Sequence, residues 1–110
     1  MSAHYELKSS ANQQYLFNLK AANGEIILSS ELYTSKQAAL GGIEAVKVNA
    51  ARDEQYERKK SISSQPYFAL KAGNHEIIGK SEMYTSEGAR EKGIESVKKN
   101  GPIAITNDLT

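Results

Sequence analysis

The fold is decided by residues 17–50, which read FNLKAANGEIILSSELYTSKQAALGGIEAVKVNA and recur at residues 68–101 as FALKAGNHEIIGKSEMYTSEGAREKGIESVKKNG. The two stretches are identical at 20 of 34 positions without a gap, at a constant offset of 51 residues. The same offset aligns YELKSS at residues 5–10 with YERKKS at residues 56–61. The repeated unit therefore takes in almost the whole chain of 110 residues.

The repeat predicts one domain, residues 1–110, built from two copies of a single unit. The first copy covers residues 4–51, the second covers residues 55–102, and residues 103–110 form a C-terminal tail or strand. Repeated units of this size cannot bury their apolar faces alone, and the chain has the length of an ordinary single domain. We therefore expect the two copies to pack about an approximate two-fold axis and to share one hydrophobic core.

Each copy contains a predicted β-hairpin. In the first copy, Asn23 and Gly24 separate two apolar runs, which is the strongest short signal for a hairpin with a type I′ turn. That turn would pair Ala22 with Glu25, and cross-strand partners share a face of the sheet. The core face is then predicted to hold Phe17, Leu19, Ala21, Ile26 and Leu28, and in the second copy Phe68, Leu70, Ala72, Ile77 and Gly79. The opposite face is predicted to hold Leu16, Asn18, Lys20, Ile27 and Ser29, and in the second copy Tyr67, Ala69, Lys71, Ile78 and Lys80.

A helix is predicted after each hairpin. Thr34 and Ser35 are both favourable N-cap residues, and apolar residues at helical spacing follow them. This apolar stripe consists of Ala38, Gly42, Ile43 and Val46 in the first copy and of Ala89, Gly93, Ile94 and Val97 in the second. Because glycine costs about 1 kcal/mol in a helix, we expect the glycine of each stripe to let its helix lie close to the sheet. Tyr33 and Tyr84 stand just before the caps, where a staple residue packs onto the first turn.

With the preceding strand, HYELKSS in the first copy, each copy is predicted to be a β-β-β-α unit. The predicted fold class is α+β, with the two tandem units forming one antiparallel sheet and both helices packed on one of its faces. The C-terminal segment IAITNDLT contains β-branched residues, so we expect it to add a strand or to lie along a sheet edge.

The combined motifs resemble those of the YegP-like family of small bacterial proteins. The resemblance rests on LKAANGEIILSSELYTSKQAALGGIEAVKVNA in the first copy and on NHEIIGKSEMYTS and GIESVKKNG in the second, and it covers residues 4–110. It implies an α+β fold of tandem β-β-β-α units. It brings no established function, cofactor or catalytic residue to this chain.

Composition narrows the classes of partner and the location. The formal net charge is +1, so no global field attracts the protein to nucleic acid or to an anionic membrane. The chain has no cysteine, which excludes disulfides and cysteine-ligated zinc and suits a reducing compartment. The start of the chain, MSAHYELKSS, lacks the apolar core of a signal peptide, and the longest aliphatic run is IIL. We therefore expect a cytoplasmic protein that does not bind membranes.

The sequence offers little support for catalysis. His4 and His75 have no second histidine at metal-ligand spacing, so no metal site is predicted. His75 replaces Gly24 in the second hairpin turn and is expected to serve that turn. Nothing positions Asp53 or Asp108 for a Ser-His-Asp arrangement, and the recurring glutamates are expected to be solvated or to cap turns and helices. The prediction is a protein that is not an enzyme and has no cofactor.

One surface is the candidate for binding, namely the sheet face opposite the core together with the two corner tyrosines. Its predicted residues are Leu16, Lys20, Ile27, Tyr67, Lys71, Ile78 and Lys80, with Tyr33 and Tyr84 at the corners. A mixture of rings, aliphatic side chains and lysines is typical of sheets that bind single-stranded nucleic acid. The same alternation is also typical of an ordinary half-exposed sheet, and such a face suits a protein partner or weak self-association of a monomer.

The alternative hypothesis is a small-ligand binder or an enzyme with its site at the seam between the two copies. An approximate two-fold axis would bring Glu31 near Glu82, or Tyr33 near Tyr84. A deep pocket with shifted carboxylate pKa values at the seam would favour this hypothesis, whereas a flat and solvated seam would favour the binding module.

Overall fold

A computed structural model of the protein describes residues 3–110, so residues 1 and 2 of the predicted domain lie outside the described residues. The elements in chain order are β1 (His4–Ser9), β2 (Tyr15–Lys20), β3 (Ile26–Ser30), α1 (Lys36–Asn49), a short 3₁₀ helix (Asp53–Gln55), β4 (Tyr56–Lys60), β5 (Pro66–Lys71), β6 (Ile77–Lys80), α2 (Glu87–Asn100) and β7 (Ile105–Asp108). The structure confirms the α+β class with one sheet and two helices. Within residues 3–110, no helix is long and apolar enough to span a membrane.

The sheet has seven strands in the order β4-β5-β6-β3-β2-β1-β7. Neighbouring strands are antiparallel from β4 to β1, but β7 runs parallel to β1, with His4 opposite Ile105 and Leu7 opposite Asp108. The prediction of an antiparallel sheet was therefore wrong at one edge, and the sheet is mixed.

The direction of β7 follows from where the two helices end. The Tyr56 hydroxyl, at the start of β4, donates a hydrogen bond of 2.6 Å to the carbonyl oxygen of Ala50 after α1. The Tyr5 hydroxyl, near the start of β1, donates one of 2.6 Å to the carbonyl oxygen of Gly101 after α2. Each helix thus delivers the chain to the beginning of the other copy's first strand. Because β1 already occupies that place after α2, the arriving chain runs beside β1 in the same direction.

The approximate two-fold axis passes through the seam between β3 and β6, at the pair Ser29 and Lys80. These residues are 51 apart, so the repeat offset maps the pair onto itself. The residues that precede this pair in the two strands lie on the side of the sheet that faces the helices. They are Leu28, which is fully buried, and Gly79. A Cβ on Gly79 would lie 2.8 Å from the Ser29 carbonyl oxygen and 3.0 Å from Leu28 Cγ. One large side chain therefore fills the axis, and the other copy supplies no side chain there.

The hairpin turn is one residue longer than predicted. Ala21 donates to the Glu25 carbonyl, Gly24 donates to the Ala21 carbonyl, and Gly24 has a positive φ of 86°. This is a three-residue loop that ends in a left-handed residue, so Ala21 rather than Ala22 faces Glu25. His75 takes the same conformation in the second copy, with φ of 70°, which confirms its predicted turn position.

A β-bulge follows each longer turn and restores the predicted register. Leu19 still pairs with Leu28, but Lys20 pairs with Ile26, so Ile27 is the extra residue. Ile27 and Ile78 are 7% and 4% exposed and belong to the hydrophobic core. The prediction that both isoleucines lie on the face opposite the core was therefore wrong, because a two-residue turn does not allow for the bulge. The prediction that Ile26 and Ile77 lie on the core face was wrong for the same reason, because they pair with Lys20 and Lys71 on the opposite face and are only partly buried.

Both helices begin as the capping pattern predicted, with serine as the cap. The Ser35 hydroxyl oxygen accepts a hydrogen bond of 3.0 Å from the Ala38 backbone N–H, and Ser86 does the same for α2. The apolar stripe lies one residue further along than predicted at its start, because Ala39 is fully buried and Ala38 is exposed. The buried residues of α1 are Ala39, Gly42, Ile43, Val46 and Asn49, and those of α2 are Arg90, Gly93, Ile94 and Val97.

The stripe glycines make room for the corner tyrosines. A Cβ on Gly42 would lie 2.8 Å from Tyr33 Cζ, and one on Gly93 would lie 2.7 Å from Tyr84 Cζ. The Tyr33 ring also stacks on Phe17, with centroids 6.2 Å apart. The close approach predicted for the glycines is therefore present, but the partner in contact is a tyrosine ring rather than the sheet backbone.

Candidate functional site

The outer face of the sheet, defined as the face that the two helices leave uncovered, is rich in lysine. The strand pairings place on it His4, Glu6, Lys8, Leu16, Asn18, Lys20, Ile26, Ser29, Glu57, Lys59, Tyr67, Ala69, Lys71, Ile77, Lys80, Ile105 and Asn107. These residues comprise five lysines and two glutamates, so the outer face has three surplus positive charges when His4 is neutral. The chain as a whole has a net charge of only +1. The strand residues of this face are therefore more positive than the chain as a whole, while Glu25 and Glu82 lie beside Lys20 at its edge.

In the first copy, the outer-face charges gather around Glu6. Its carboxylate is 3.1 Å from His4 Nε2, 3.1 Å from Lys20 Nζ and 3.5 Å from Lys8 Nζ. Hydrogen bonds from His4 and then Lys20 lower the pKa of Glu6 to about 2. Lys20, a predicted binding residue, is thus already bound to a carboxylate of its own chain.

In the second copy, Glu57 holds the matching position. Its carboxylate is 2.8 Å from Lys59 Nζ and 2.7 Å from Lys71 Nζ, and the hydrogen bonds from these lysines lower the pKa of Glu57 to about 2. Lys80 lies between the two glutamate clusters, on the two-fold axis, and is exposed. Each cluster retains one surplus positive charge, and Lys80 adds a third.

A hollow opens at one end of the outer face, beside the loop between β4 and β5. It has a volume of about 440 Å³ and is lined by Ser61, Ile62, Ser63, Gln65, Tyr67, Lys80 and Met83. The Ile62 side chain is fully exposed, and Met83 is 47% exposed. The predicted residues Tyr67 and Lys80 therefore meet at this hollow. Sequence reasoning missed Ile62 and Met83, although an isoleucine inside the polar loop SISSQ was a visible signal.

The structure divides the predicted binding residues among three places. Leu16, Lys20, Tyr67, Lys71 and Lys80 share the outer face as predicted. Ile27 and Ile78 lie in the core beneath the helices instead, because of the bulges described above. Tyr33 and Tyr84 lie at the helix side of the sheet, half-buried against the stripe glycines.

Each corner tyrosine lines a cleft between its own helix and the hairpin turn of the other copy. The first cleft, of about 330 Å³, is lined by Glu31, Tyr33, Gly42, Ala45, Ala72, Asn74, Glu76, Ile77 and Ile78. The second cleft, of about 280 Å³, is lined by Ala21, Asn23, Glu25, Ile27, Tyr84, Ala89, Lys92, Gly93 and Ser96. Most of these residues correspond under the 51-residue offset. The single seam site predicted for Tyr33 and Tyr84 is thus replaced by two separate clefts.

The environment of the two tyrosine hydroxyls is similar in the two clefts. Partial burial, and then the charge of Glu31, raise the pKa of Tyr33. Burial, followed by Glu82 and Glu25, raises the pKa of Tyr84. The clefts differ in their cations, because Lys92 lines the second cleft while Gly41 holds the matching position beside the first. Sequence reasoning missed the part played by the hairpin residues, because the helix and the hairpin that meet in each cleft belong to different copies.

In the described part of the chain, no group of three or more His, Asp or Glu side chains could hold a metal ion.

Comparison with known proteins identifies relatives along the whole chain. Residues 10–57 and 63–108 match the family model described as a domain of unknown function, DUF1508. The UPF0339 protein YegP of Yersinia pestis is 54% identical, over 97% of this chain and 96% of its own.

Two solved structures have the same fold. The solution NMR structure of a UPF0339 protein from Shewanella oneidensis has a TM-score of 0.94 at 51% identity, and the match covers 100% of this chain and 93% of that one. The solution NMR structure of YegP from Escherichia coli, called a protein of unknown function, has a TM-score of 0.94 at 49% identity, covering 100% and 95%.

Proposed function

We propose that this chain, which belongs to the UPF0339 family, is a non-catalytic binding module. Its YegP-like motifs predicted this family, whose DUF1508 domain is of unknown function. Its partner is an acidic protein segment that binds to the outer face of the sheet with one apolar side chain in the hollow. The observation that carries this proposal is a hollow with exposed apolar walls on a face that has three surplus positive charges.

The apolar walls supply the anchor point. Ile62 and Met83 expose aliphatic and thioether surface, and Tyr67 adds a half-buried ring. Large side chains that fill such pockets contribute most of the affinity of protein interfaces, and methionine adapts to partners of different shape. The volume of about 440 Å³ is sufficient for a leucine or phenylalanine side chain.

The lysines supply the preference for an acidic partner. Lys80 borders the hollow, and Lys59 of the second glutamate cluster lies opposite Tyr67 in the sheet. Charges of one sign around an apolar pocket accelerate association with oppositely charged partners and exclude partners of like charge. An acidic segment is therefore favoured over a neutral or basic one.

Single-stranded nucleic acid is the other partner that a lysine-rich sheet suggests, and the outer face supports it less well. Sheets of that kind stack two or three bases on aromatic rings. Among residues 3–110, Tyr67 is the only phenylalanine or tyrosine on the outer face. Lys20 and Lys71 also form salt bridges with glutamates of the same face, so their ammonium groups are less available to phosphates.

The test compares the protein with a variant that carries first-copy residues at the hollow. Ile62→Ala and Lys80→Ser introduce the residues found at the matching positions, Ala11 and Ser29, and both side chains are exposed, so the fold is retained. Short random peptides displayed on phage are selected on the immobilised protein and then titrated in solution into both proteins. We expect acidic peptides with one large apolar residue, and about tenfold weaker binding to the variant.

Amide chemical shifts of the labelled protein locate the binding. Shifts at Ile62, Tyr67 and Lys80 support the proposal. Selected peptides that bind both proteins equally, or a selection that enriches no acidic sequence, would refute it. If a mixed-sequence single-stranded oligonucleotide shifts the same amides and the peptides do not, the partner is nucleic acid instead.

A further inference from the structure

We propose that the free edge of β4 is a docking site for an acidic, extended segment of another protein, which pairs with β4 as a parallel strand. An example of this pairing is present in the molecule itself, because β7 lies in the same way against β1. The site is the backbone at the sheet edge, so the inference goes beyond the binding proposed for the hollow and does not depend on it.

The edge strand β4 presents backbone groups that β5 does not use. The Phe68 carbonyl oxygen accepts a hydrogen bond from the Ser81 N–H, and the Phe68 N–H donates to the Ser81 hydroxyl oxygen, so the backbone of Phe68 faces β6. Arg58 is the partner of Phe68 in the β4–β5 pair. Because opposite residues of an antiparallel pair either bond each other or both face away, the Arg58 N–H and carbonyl groups point away from β5. In the part of the chain that the structure describes, β4 is the last strand on that side.

Lys60 continues this free edge. Its partner in β5 is Pro66, whose carbonyl oxygen accepts a hydrogen bond from the Tyr84 N–H and therefore faces away from β4. The N–H and carbonyl groups of Lys60 thus point outward as well. The start of the edge is less open, because the Tyr56 N–H donates to the Asp53 carbonyl oxygen. An added strand can therefore pair with β4 from the Tyr56 carbonyl onward, and such main-chain hydrogen bonds are the basis of strand addition to a sheet edge.

The first copy shows what covers such an edge. Leu7 of β1 matches Arg58 under the 51-residue offset, and the Leu7 carbonyl oxygen accepts a hydrogen bond of 2.9 Å from the Leu109 N–H, just after β7. β7 runs parallel to β1, with Asp108 opposite Leu7. The second copy has no such cover, because the chain that leaves α1 becomes β4 itself. Of two equivalent edges, the chain therefore covers one with a parallel strand and leaves the other open.

The charges of β4 favour an acidic segment. β4 contains Arg58, Lys59 and Lys60 against one glutamate, Glu57, whereas the matching positions of β1 contain one lysine and one glutamate. Opposite charges across a strand pair stabilise the pair, and lysines on an edge discourage pairing with strands of like charge. The ion pair of Lys60 with Glu87 is exposed at 3.3 Å and is easily rearranged. Acidic residues opposite Lys59 and Lys60 are therefore preferred to neutral or basic ones.

The probe is a synthetic peptide of residues 103–110 that carries Leu109→Glu and Thr110→Glu. In the register of β7, extended to the end of the chain, these two glutamates lie opposite Lys59 and Lys60. The control peptide carries Leu109→Lys and Thr110→Lys. We expect the acidic peptide to shift the Arg58 and Lys60 amides of the labelled, full-length protein and to slow their hydrogen exchange. It should bind at least about tenfold more tightly than the basic peptide.

Two variants at Lys60 separate backbone pairing from charge. Lys60→Pro removes the outward N–H, while the bonds between β4 and β5 are kept because that N–H takes no part in them. Lys60→Gln removes only the charge. We expect Lys60→Pro to weaken binding of the acidic peptide at least about tenfold and Lys60→Gln about threefold. Equal effects of the two variants would refute backbone pairing. If Lys60→Pro disturbs the fold, hydrogen exchange at Arg58 in the unmodified protein decides the question.

The positions of the shifts distinguish the other outcomes. Unchanged hydrogen exchange at Arg58 and Lys60 in the presence of the acidic peptide would overturn the inference. Shifts at Leu7 instead of Arg58 would show that the peptide has displaced β7 from β1, which also overturns it. Shifts confined to Ile62 and Tyr67 would assign the peptide to the hollow, so that the edge site fails while the proposed function stands. Dimers that protect the Arg58 amide without any peptide would make a second copy of the chain the occupant and refute the proposed partner.

Discussion

Near the two-fold axis, β3 of the first copy carries Leu28, and β6 of the second copy carries Gly79 at the same place. At the outer loops, the first copy has Ala11 where the second has Ile62. Elsewhere the copies keep one pattern: the Ser30 and Ser81 hydroxyl oxygens accept hydrogen bonds of 2.9 and 3.0 Å from the backbone of Phe17 and Phe68. The repeated fold thus requires the strand-to-helix junction twice, but it leaves the axis and the surface free to differ.

The junction explains why SELYTS and SEMYTS are so similar. The hydroxyl oxygen of each first serine accepts a hydrogen bond from the backbone N–H of a phenylalanine, in place of a backbone carbonyl of the neighbouring strand. Each tyrosine ring covers a helix glycine, and each last serine caps a helix. One difference is that the Tyr33 backbone both donates to and accepts from Tyr15, whereas Tyr84 only donates to the Pro66 carbonyl. Proline has no N–H to return the second bond. The second corner is therefore held by fewer backbone hydrogen bonds than the first.

The largest effect is expected at the axis. Leu28→Ala removes a fully buried side chain and should lower the free energy of unfolding by about 2–5 kcal/mol. Gly79→Leu alone should also destabilise the fold, because the new side chain meets Leu28 and the Ser29 backbone. Combining Leu28→Gly with Gly79→Leu moves the same volume across the axis. In denaturant unfolding, the loss of unfolding free energy in this double variant should be smaller than the summed losses of Leu28→Gly and Gly79→Leu, by more than about 1 kcal/mol. If the losses of the two single variants simply add, the side chains at positions 28 and 79 do not share the same space.

The next largest effect concerns the hydroxyls that link each helix end to the other copy. Tyr5→Phe and Tyr56→Phe each leave one buried carbonyl without its donor and should each cost about 1–3 kcal/mol. The two costs are expected to be similar, since the geometry is the same at 2.6 Å. A cost confined to one copy in denaturant unfolding would show that the two links are not equivalent.

These tyrosines also predict how stability changes in alkali. Burial raises the pKa of Tyr5 and Tyr56 well above the unfolded value of about 10. Their neutral forms therefore contribute stability that is complete below about pH 10 and is lost as the pH rises above it. Either phenylalanine variant should show a weaker loss of stability in alkaline unfolding experiments than the unmodified protein, and an unchanged profile would contradict this.

A smaller difference is expected at the helix glycines. A Cβ on Gly42 would lie 2.9 Å from Phe17 Cε2, while one on Gly93 would lie 3.3 Å from Phe68 Cε2. A tyrosine ring tip can swing aside, but the buried phenylalanine cannot, so Gly42→Ala should destabilise more than Gly93→Ala, by about 1 kcal/mol. Gly41→Ala is the control, because its Cβ meets nothing and alanine favours the helix. Thermal unfolding ranks the three variants, and the reverse order for Gly42 and Gly93 would argue against the Phe17 contact.

The smallest effect concerns the outer-face glutamates in acid. The folded pKa of Glu6 and Glu57 is about 2, below the unfolded value of about 4.3. Each carboxylate therefore contributes stability that is present above about pH 4.3 and is lost as the pH falls towards 2. Carbon-detected NMR titration should give low and similar values for both. Lys20→Met and Lys71→Met should raise the pKa of Glu6 and Glu57 respectively, and a variant that leaves its glutamate unchanged would remove that lysine as a partner.

The elements of the fold could be predicted because their signals are local. Turn residues, serine caps and apolar spacing identified three strands and a helix in each copy. Because the unit is duplicated, the same signals predicted each element twice. The bulge at Ile27 was not predictable in the same way. A turn of Asn-Gly allows two or three loop residues, and the choice depends on how the bulged isoleucine packs under the opposite helix.

The site was less predictable because it depends on contacts between distant residues. Outward alternation gave the correct face for Lys20, Tyr67 and Lys71, but nothing in the sequence shows that Glu6 and Glu57 bind these lysines. The clefts depend on each helix lying beside the other copy's hairpin, a tertiary arrangement that a count within one unit cannot give. The parallel direction of β7 has the same origin, because it follows from where α2 ends.

The pairing of β7 with β1 also determines how the fold bears a pulling force. His4 begins β1 at one end of the pair, and Asp108 ends β7 at the other, because the strands are parallel. Tension between the two chain ends therefore loads the evenly spaced hydrogen bonds of this pair in shear, so that they resist together instead of opening one by one. Forced unfolding is set by the rate at which such a barrier is crossed. The β1–β7 edge is thus the mechanical clamp of the molecule, and the β4 edge at the far side of the sheet lies outside the line of force.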